Sequence, residues 1–487
     1  MIPLAVFSID LLSGNLLLLS SALIIVAVLL TKVGSRFGVP SLLIFLLLGM
    51  VFGADGVGVK FEQYDIAESI GHFAMTIILF TGGFGTSFKE IKPILKHGIS
   101  LSTVGVLLTV LLTGFFIYFT GGISGSTTVL SCLLIAAVMG STDSASVFYV
   151  LGSKRMRLRE NLAPMLELES GSNDPMAYML TIILVQIISG GTVSAWSGVL
   201  SFFLQIVIGT GVGVGVGYGA AWLIKKIKLS GSSLYSILIL SIAFLANGLA
   251  HLIHGNGLLS LYITALILGN KVDLPNKKDL GKFFDGMTWL MQLIMFLMLG
   301  LLARPSQMLP VLGYAILIGL FMMFVARPAS VFLSLLPFKD ISFRGKLFTS
   351  WVGLKGAGPV LFALTPVLAG LENASELFNI VFVITLFSLI LQGSTLRPFA
   401  RVLKLSYEDF AEAETFGMEI PEDMGMLRDH IVSGEELAAG STLRDMALPH
   451  GIRVMMVKRD GKFLVPHGSM VLYEGDHLLL IIGETDD

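Results

Sequence analysis

The stretch Leu168-Glu169-Ser170-Gly171-Ser172-Asn173-Asp174-Pro175 places two carboxylates inside a long apolar run. A second stretch, Gly140-Ser141-Thr142-Asp143-Ser144, places a third some thirty residues upstream. A carboxylate at membrane depth is costly unless it is paired or hydrated, so acids in such runs mark ion or proton sites. Positions four apart share a helix face. Glu169 therefore lies over Asn173 and Ser170 over Asp174, whereas Glu169 and Asp174 point ~140° apart at ~100° per residue. One face offers Asp174 with a hydroxyl ligand, the other Glu169 with Asn173. No basic residue stands within one turn of Asp174, which makes it the place where a cation and a proton compete. Glu167 lies on the same face roughly 10 Å nearer the helix start. It reads as a solvated helix start, or else as the lining of an access funnel.

Other charges in apolar surroundings need partners. Arg327, in Phe324-Val325-Ala326-Arg327-Pro328, must pair with an acid, and Glu169 and Asp143 are the candidates. Gly353-Leu354-Lys355-Gly356-Ala357-Gly358-Pro359 combines helix-weakening residues with a charge, as the Gly140–Ser144 stretch does. His72, His251 and His254 are expected at helix ends or in loops, as interfacial residues, because no second ligand lies at helical spacing. Cys132 is the one cysteine of the chain and excludes a disulfide.

The elements that position these residues are membrane helices. The chain has 487 residues, mean hydropathy +0.84, 14% charged residues and net charge −2. That composition gives a polytopic membrane protein and argues against a nucleic-acid surface. Thirteen apolar segments run near 15–31, 41–53, 69–86, 98–120, 128–151, 161–190, 196–224, 233–254, 257–270, 285–302, 311–337, 345–369 and 376–400. Met1–Asp10 has no basic signal-peptide start, so the first is expected to stay as a helix. Nineteen basic residues fall in the odd loops and only Lys60 and Arg304 in the even ones. The basic excess puts the odd loops and the C-terminus in the cytoplasm and the N-terminus outside, that is, periplasmic.

An odd count allows segments 1–6 and 8–13 to form two inverted six-helix repeats, with the seventh (Gly211–Gly217) as connector. Segments 5 and 12 are then the broken, crossing pair. Asp143 suits the positive helix ends there and Lys355 the negative ends. Close packing of helices suits Gly211–Gly217 better than a break does. The fold class expected is an all-α polytopic membrane domain (1–403), an acidic linker (404–424) and a small α+β cytoplasmic domain (425–487). In the last, Leu427–Val432, Ile452–Lys458, Phe463–Val465 and Leu478–Ile482 read as strands and Ser441–Ala447 as a helix.

The Thr142-Asp143 break, the Glu169-Ser170…Asn173-Asp174 run and Arg327-Pro328 resemble the NhaP-type branch of the cation/proton antiporters across the whole membrane part. Gln392-Gly-Ser-Thr and the tail look most like bacterial potassium/proton antiporters of cell-volume regulation. The resemblance implies that Asp174 is the carrier of potassium or sodium and of the proton, that Thr142 gives a backbone carbonyl, and that Ser170 helps to ligate. It also implies that Glu169 and Arg327 form an ion pair holding Asn173, and that the protein is a homodimer in the bacterial inner membrane. Many relatives carry an acid before the Gly-Gly of the third helix, where this chain has Thr81-Gly82-Gly83. The tail resembles the TrkA-C module of RCK proteins. It has no glycine-rich nucleotide fingerprint, so a bound nucleotide is not expected; a small-molecule regulator there and a plain soluble cap are the alternatives.

The function expected is therefore secondary exchange of a monovalent cation, potassium first, for protons, without a cofactor and without enzymatic chemistry. The alternatives are a sodium/proton antiporter, a cation channel gated by the tail, and a receptor that transports nothing. If Asp143 is committed to helix dipoles and Glu169 to Arg327, one negative charge remains, and exchange is electroneutral.

Overall fold

The computed structural model describes residues 16–37, 40–121, 128–143, 147, 156–190, 195–227, 229, 231–272, 277–408, 427–432, 437, 442–445, 452–459 and 462–482. The chain divides into two units, Met1–Tyr407 and Glu408–Asp487. In the first, each of the thirteen apolar segments holds helix among the described residues. These helices are α1 Leu16–Phe37, α2 Ser41–Phe52, α3 Tyr64–Gly85, α4 Phe88–Phe119, α5 Val129–Val138, α6 Leu162–Ile188, α7 Ala195–Lys226, α8 Ser232–Leu252, α9 Gly257–Lys271, α10 Lys277–Leu302 and α11 Leu312–Ser334. The twelfth segment is split into α12 Phe343–Trp351 and α13 Ala357–Leu368, and the last forms α14 Ala374–Val402. By length and composition alone, seven of the described helices can cross a membrane.

Several helices start earlier than hydropathy predicts. Lys89, Lys92 and Lys96 lie on the first turns of α4, and Lys277 and Lys282 on those of α10; they are not loop residues. A backbone must stay hydrogen-bonded until it reaches water, so helices project past the apolar slab, and long basic side chains reach from their ends into the interface. Lys154, Arg155, Lys228, Ser144 and Met1–Asp10 fall outside the described residues.

The glycines of α7 act as a packing face. Gly209, Gly213 and Gly217 stand four apart. A Cβ at Gly213 would lie 2.6 Å from the Ser260 carbonyl oxygen of α9, and Thr264 Oγ1 donates to the Gly213 carbonyl at 3.1 Å. Small residues let two backbones approach where lipid offers no hydrophobic drive. The two repeats leave another mark. α4 has a π-helical turn at Leu101–Gly105 and α11 has one at Met322–Ala326, in the fourth helix of each expected repeat. The two helices touch there, with Ser100 Oγ donating to the Ser334 carbonyl at 2.8 Å. Arg327 follows directly on the second wide turn, and such turns recur at functional positions.

In the second unit four strands, β1 Leu427–Ile431, β2 Ile452–Arg459, β3 Lys462–Leu464 and β4 His477–Ile482, pair antiparallel in the order β1-β4-β2-β3. They cover a core of Val432, Val457, Leu472, Leu478 and Leu480. The helix expected at Ser441–Ala447 is not seen in its described part. Thr442 bridges to Val471 and residues 443–445 make a turn; the rest of it, and linker residues 409–424, lie outside the described residues.

Asp476, 2% exposed, is a buried acid of this unit. Arg459 Nε donates to its Oδ1 at 2.8 Å and Arg459 Nη2 to its Oδ2 at 2.6 Å, the Tyr473 amide adds a bond at 2.9 Å, and the guanidinium lies 4.3 Å from the Tyr473 ring centre. Burial raises the carboxyl pKa, but the hydrogen bonds from Arg459 and Tyr473 outweigh it and hold the group below its ordinary 3.8. A depressed folded pKa means stability that is present above the unfolded value and lost as pH falls through the folded one. Asp476→Asn should destabilise this unit by about 2 kcal/mol and flatten its acid dependence below pH ~4. Protease susceptibility of the unit in the intact protein, followed against pH, checks this; wild-type resistance at neutral pH would refute it.

Candidate functional site

The two broken segments cross. α5 ends at Val138, followed by a turn at Met139–Gly140, and residues 141–143 leave the helical path. α12 ends at Trp351, and residues 353–356 are non-helical before α13. The Asp143 amide donates to the Leu354 carbonyl at 2.8 Å, and Lys355 Nζ donates to the Ser141 carbonyl at 2.9 Å. The Lys355 ammonium thus sits just past the carboxyl end of α5. The Asp143 side chain lies against Gly356, directly before the amino end of α13, and a Cβ at Gly356 would overlap the Asp143 carboxylate. Each charge complements the helix dipole it faces. A Cβ at Gly353 would stand 3.0 Å from Arg327 Nε. These two glycines make room for charged side chains, not for a neighbouring helix.

Helix α14 supports the second break. Lys355 N–H donates to Ser388 Oγ at 2.9 Å, Ser388 Oγ donates to Gln392 Oε1 at 2.5 Å, and Gln392 Nε2 donates to the Trp351 carbonyl at 2.9 Å. Ser388 and Gln392 are 0% and 1% exposed.

α6 runs unbroken through the acidic stretch and carries two separate sets of contacts. Asp174 Oδ1 accepts the Ser141 hydroxyl. The Ser170 hydroxyl donates to the Thr142 carbonyl at 2.6 Å. Asn173 Nδ2 donates to Thr142 Oγ1 at 2.5 Å, and the Thr142 amide donates to Asn173 Oδ1 at 3.4 Å. One turn before Asn173, Glu169, 1% exposed, pairs with Arg327, 6% exposed. Of the two acids open to Arg327 on residue grounds, the structure selects Glu169. The hydrogen bonds of Asn173 run to Thr142 of the broken segment. Pro175, inside α6, has no N–H to give the Gly171 carbonyl, and its own carbonyl accepts Asn256 Nδ2 at 2.9 Å.

Asp174 Oδ1, Ser141 Oγ, Thr142 O and Ser170 Oγ therefore gather at the crossing. An all-oxygen set around one carboxylate suits a hard cation. Among the described residues no group of three or more His, Cys, Asp or Glu is placed to hold a metal ion. The charged groups acting on Asp174 are Asp143 and Lys355. With Asp143, Glu169 and Asp174 ionised and Arg327 and Lys355 protonated, the formal charges of these five side chains sum to −1.

Two expectations change. His72 is not at a helix end: it lies inside α3, its ring edge-on to Tyr178 at 4.9 Å and 66°. Glu167 is not a solvated helix start; it is half-buried, with Thr86, Glu90 and Tyr262 around it. Ser141, Ser388 and Gln392 join the site in the structure; in the sequence Ser141 stands in the break and Gln392 in the Gln392-Gly-Ser-Thr stretch, whereas Ser388 carries no local signal. Thr81, where relatives carry an acid, donates to the Ile77 carbonyl at 2.9 Å and accepts Thr288 Oγ1 at 2.9 Å across α10.

Residues 21–402 match the family described as sodium/hydrogen exchanger, transmembrane, and residues 431–486 match the TrkA-C domain. The chain is 38% identical over 480 residues to the K(+)/H(+) antiporter NhaP2 of Shewanella oneidensis, covering 97% of this chain and 81% of the relative. It is 36% identical over 487 residues to the K(+)/H(+) antiporter NhaP of Alkalimonas amylolytica, with 96% and 81% covered. The solved sodium proton antiporter MjNhaP1 of Methanocaldococcus jannaschii has a similar fold, with TM-score 0.71 at 23% identity over 80% of this chain and 99% of that one.

Proposed function

The chain belongs to the sodium/hydrogen exchanger family, and on that footing we propose that the Asp174 centre exchanges potassium for protons, one for one. It is a multi-span membrane antiporter of monovalent cations and protons. Potassium is favoured over sodium by the two relatives named as potassium/proton antiporters, which align over nearly the whole chain. The observation that carries the mechanism is the meeting of Asp174 with Ser141, Thr142 and Ser170 where the broken segments cross.

The steps follow from the charges. Asp174, ionised, attracts a cation to the oxygens of Ser141, Thr142 and Ser170; protonated, it offers no net charge to hold one. The two occupants exclude each other. Asp143 and Lys355 balance, as do Glu169 and Arg327, so either occupant neutralises the single remaining charge. Loaded and protonated forms then carry equal charge, and a membrane potential does no work on the cycle. Glu167 lines the cytoplasmic approach. The protein works as a homodimer in the bacterial inner membrane, N-terminus periplasmic and C-terminus cytoplasmic, and its TrkA-C unit takes a small-molecule regulator.

Purified protein in proteoliposomes, with a trapped pH-sensitive dye and imposed potassium or sodium gradients, tests this reading. Potassium should drive alkalinisation or acidification according to gradient direction, with a rate unchanged when valinomycin clamps the potential. A response to sodium alone would transfer the assignment to sodium. A rate that follows the clamped potential would exclude one-for-one exchange.

A further inference from the structure

Exchange requires Asp174 to meet the outer aqueous phase as well as the cytoplasm, and nothing so far assigns residues to the outer route. Glu68, His72 and Thr76 stand four apart on α3 and share one face. Tyr178, against the His72 ring, lies on α6 one turn beyond Asp174, away from the amino end of that helix. Glu68 Oε1 accepts Thr365 Oγ1 of α13 at 3.1 Å. Thr76 Oγ1 accepts Asn247 Nδ2 of α8 at 3.1 Å, and Asn247 Oδ1 is buried without a hydrogen-bond partner. His251, one turn further along α8, acts electrostatically on His72.

Four helices thus converge buried and half-buried polar groups on one path. Among the described residues neither Glu68 nor His72 has an ion-pair partner. A carboxylate and an imidazole left in an apolar bundle without counter-charges are kept where they meet ions or protons. Apolar packing closes the same level: a Cβ on Gly71 would overlap the Leu361 side chain of α13. α3 and α13 are therefore in contact at Gly71 and hydrogen-bonded at Glu68.

We propose that Glu68, His72 and Tyr178 line the outer route by which protons reach Asp174, and that the Glu68–Thr365 hydrogen bond, with Leu361 against Gly71, closes that route. The inference rests on Asp174 as the exchange site and on the orientation set by the basic loops. A proton taken up at Glu68 or His72 from outside passes inward to Asp174, and the donor is reprotonated from the outer water, so no group keeps a net change. The titratable groups facing His72 are Glu68 on its own helix, Tyr178 on α6 and His251 on α8. Residues 357–368 of α13 and 290–302 of α10 carry no charged side chain.

The test is exchange by Glu68→Gln, His72→Gln and Thr365→Val, measured in right-side-out and everted membrane vesicles with the pH of one face varied and the other fixed. Glu68→Gln and His72→Gln should shift the outer-face pH midpoint by about one unit while the cytoplasmic-face profile stays as in wild type. Thr365→Val, which keeps shape and removes only the hydroxyl on Glu68, should shift the same face and serves if either charge variant fails to fold. A purely structural role would scale both profiles without moving either midpoint, and that result, or unshifted outer-face profiles in the folded variants, would overturn the proposal. Loss of exchange in Asp174→Asn alongside normal outer-face profiles would remove this inference and leave the exchange site intact.

Discussion

Asp174→Asn is expected to abolish cation-driven proton movement, leaving a folded and membrane-inserted protein. The substitution keeps the shape of the side chain and an oxygen that can accept the Ser141 hydroxyl. It removes no member of the Glu169–Arg327 pair and none of the bonds between Thr142, Ser170 and Asn173. What it removes is the one charge that the rest of the centre does not balance. An amide binds neither a proton at working pH nor a cation with comparable strength, so both half-cycles lose their occupant. The loss should reach the protein-free background, at least 100-fold, because no neighbouring acid is free to substitute. Asp143 is positioned against the amino end of α13 beside Gly356, and Glu167 sits seven positions back on α6. The measurement is dye-reported exchange in proteoliposomes, with gel filtration and insertion checked in parallel. Wild-type-like rates in a correctly inserted variant would remove Asp174 from the mechanism.

Helical spacing alone separates Asp174 from Glu169, and in the structure they do meet different partners, Ser141 and Arg327. That much was legible because α6 is continuous from Leu162 to Ile188, so angular positions carry through the acidic stretch. The charge in each break was legible for a similar reason: a lone Asp143 or Lys355 among glycines needs a helix dipole or an ion to face. The partners were not legible. Ser141 meets Asp174 across 33 positions and Lys355 meets the Ser141 carbonyl across 214, and no local pattern encodes such contacts. Ser388 looks like ordinary polar punctuation in α14, and Gln392 carries only a motif likeness, until the unwound backbone of residues 353–356 is laid against them. His72 was misplaced because hydropathy starts the third segment near residue 69, whereas α3 begins at Tyr64 with Asp65 and Glu68 in its first turns. The same amphipathic opening turns put three lysines on α4.

The Glu169–Arg327 pair should show the largest stability coupling in the membrane unit, and the coupling should be lopsided. Both side chains are almost wholly buried, so deleting either charge strands the other; breaking such a pair costs about 3–5 kcal/mol, whereas removing both is much milder. The surroundings then distinguish the two deletions. Lys355 lies close enough to feel both members of the pair, and Arg327 Nε is buried without a hydrogen-bond partner. In Glu169→Gln, Arg327 and Lys355 are two buried cations left near each other, and Asp174, the acid with unbalanced charge, acts on Lys355 and leaves Arg327 without an acid partner. In Arg327→Met, Glu169 still has Lys355 as a positive neighbour. Glu169→Gln should therefore be the more damaging single change, and the double variant should be more stable than Glu169→Gln alone. Apparent unfolding temperatures of detergent-purified protein, arranged as a double-mutant cycle, measure this directly. Additive losses would show that the pair is not a coupled unit. A worse outcome for Arg327→Met would show that Lys355 does not reach Glu169 and that Arg327 alone holds it.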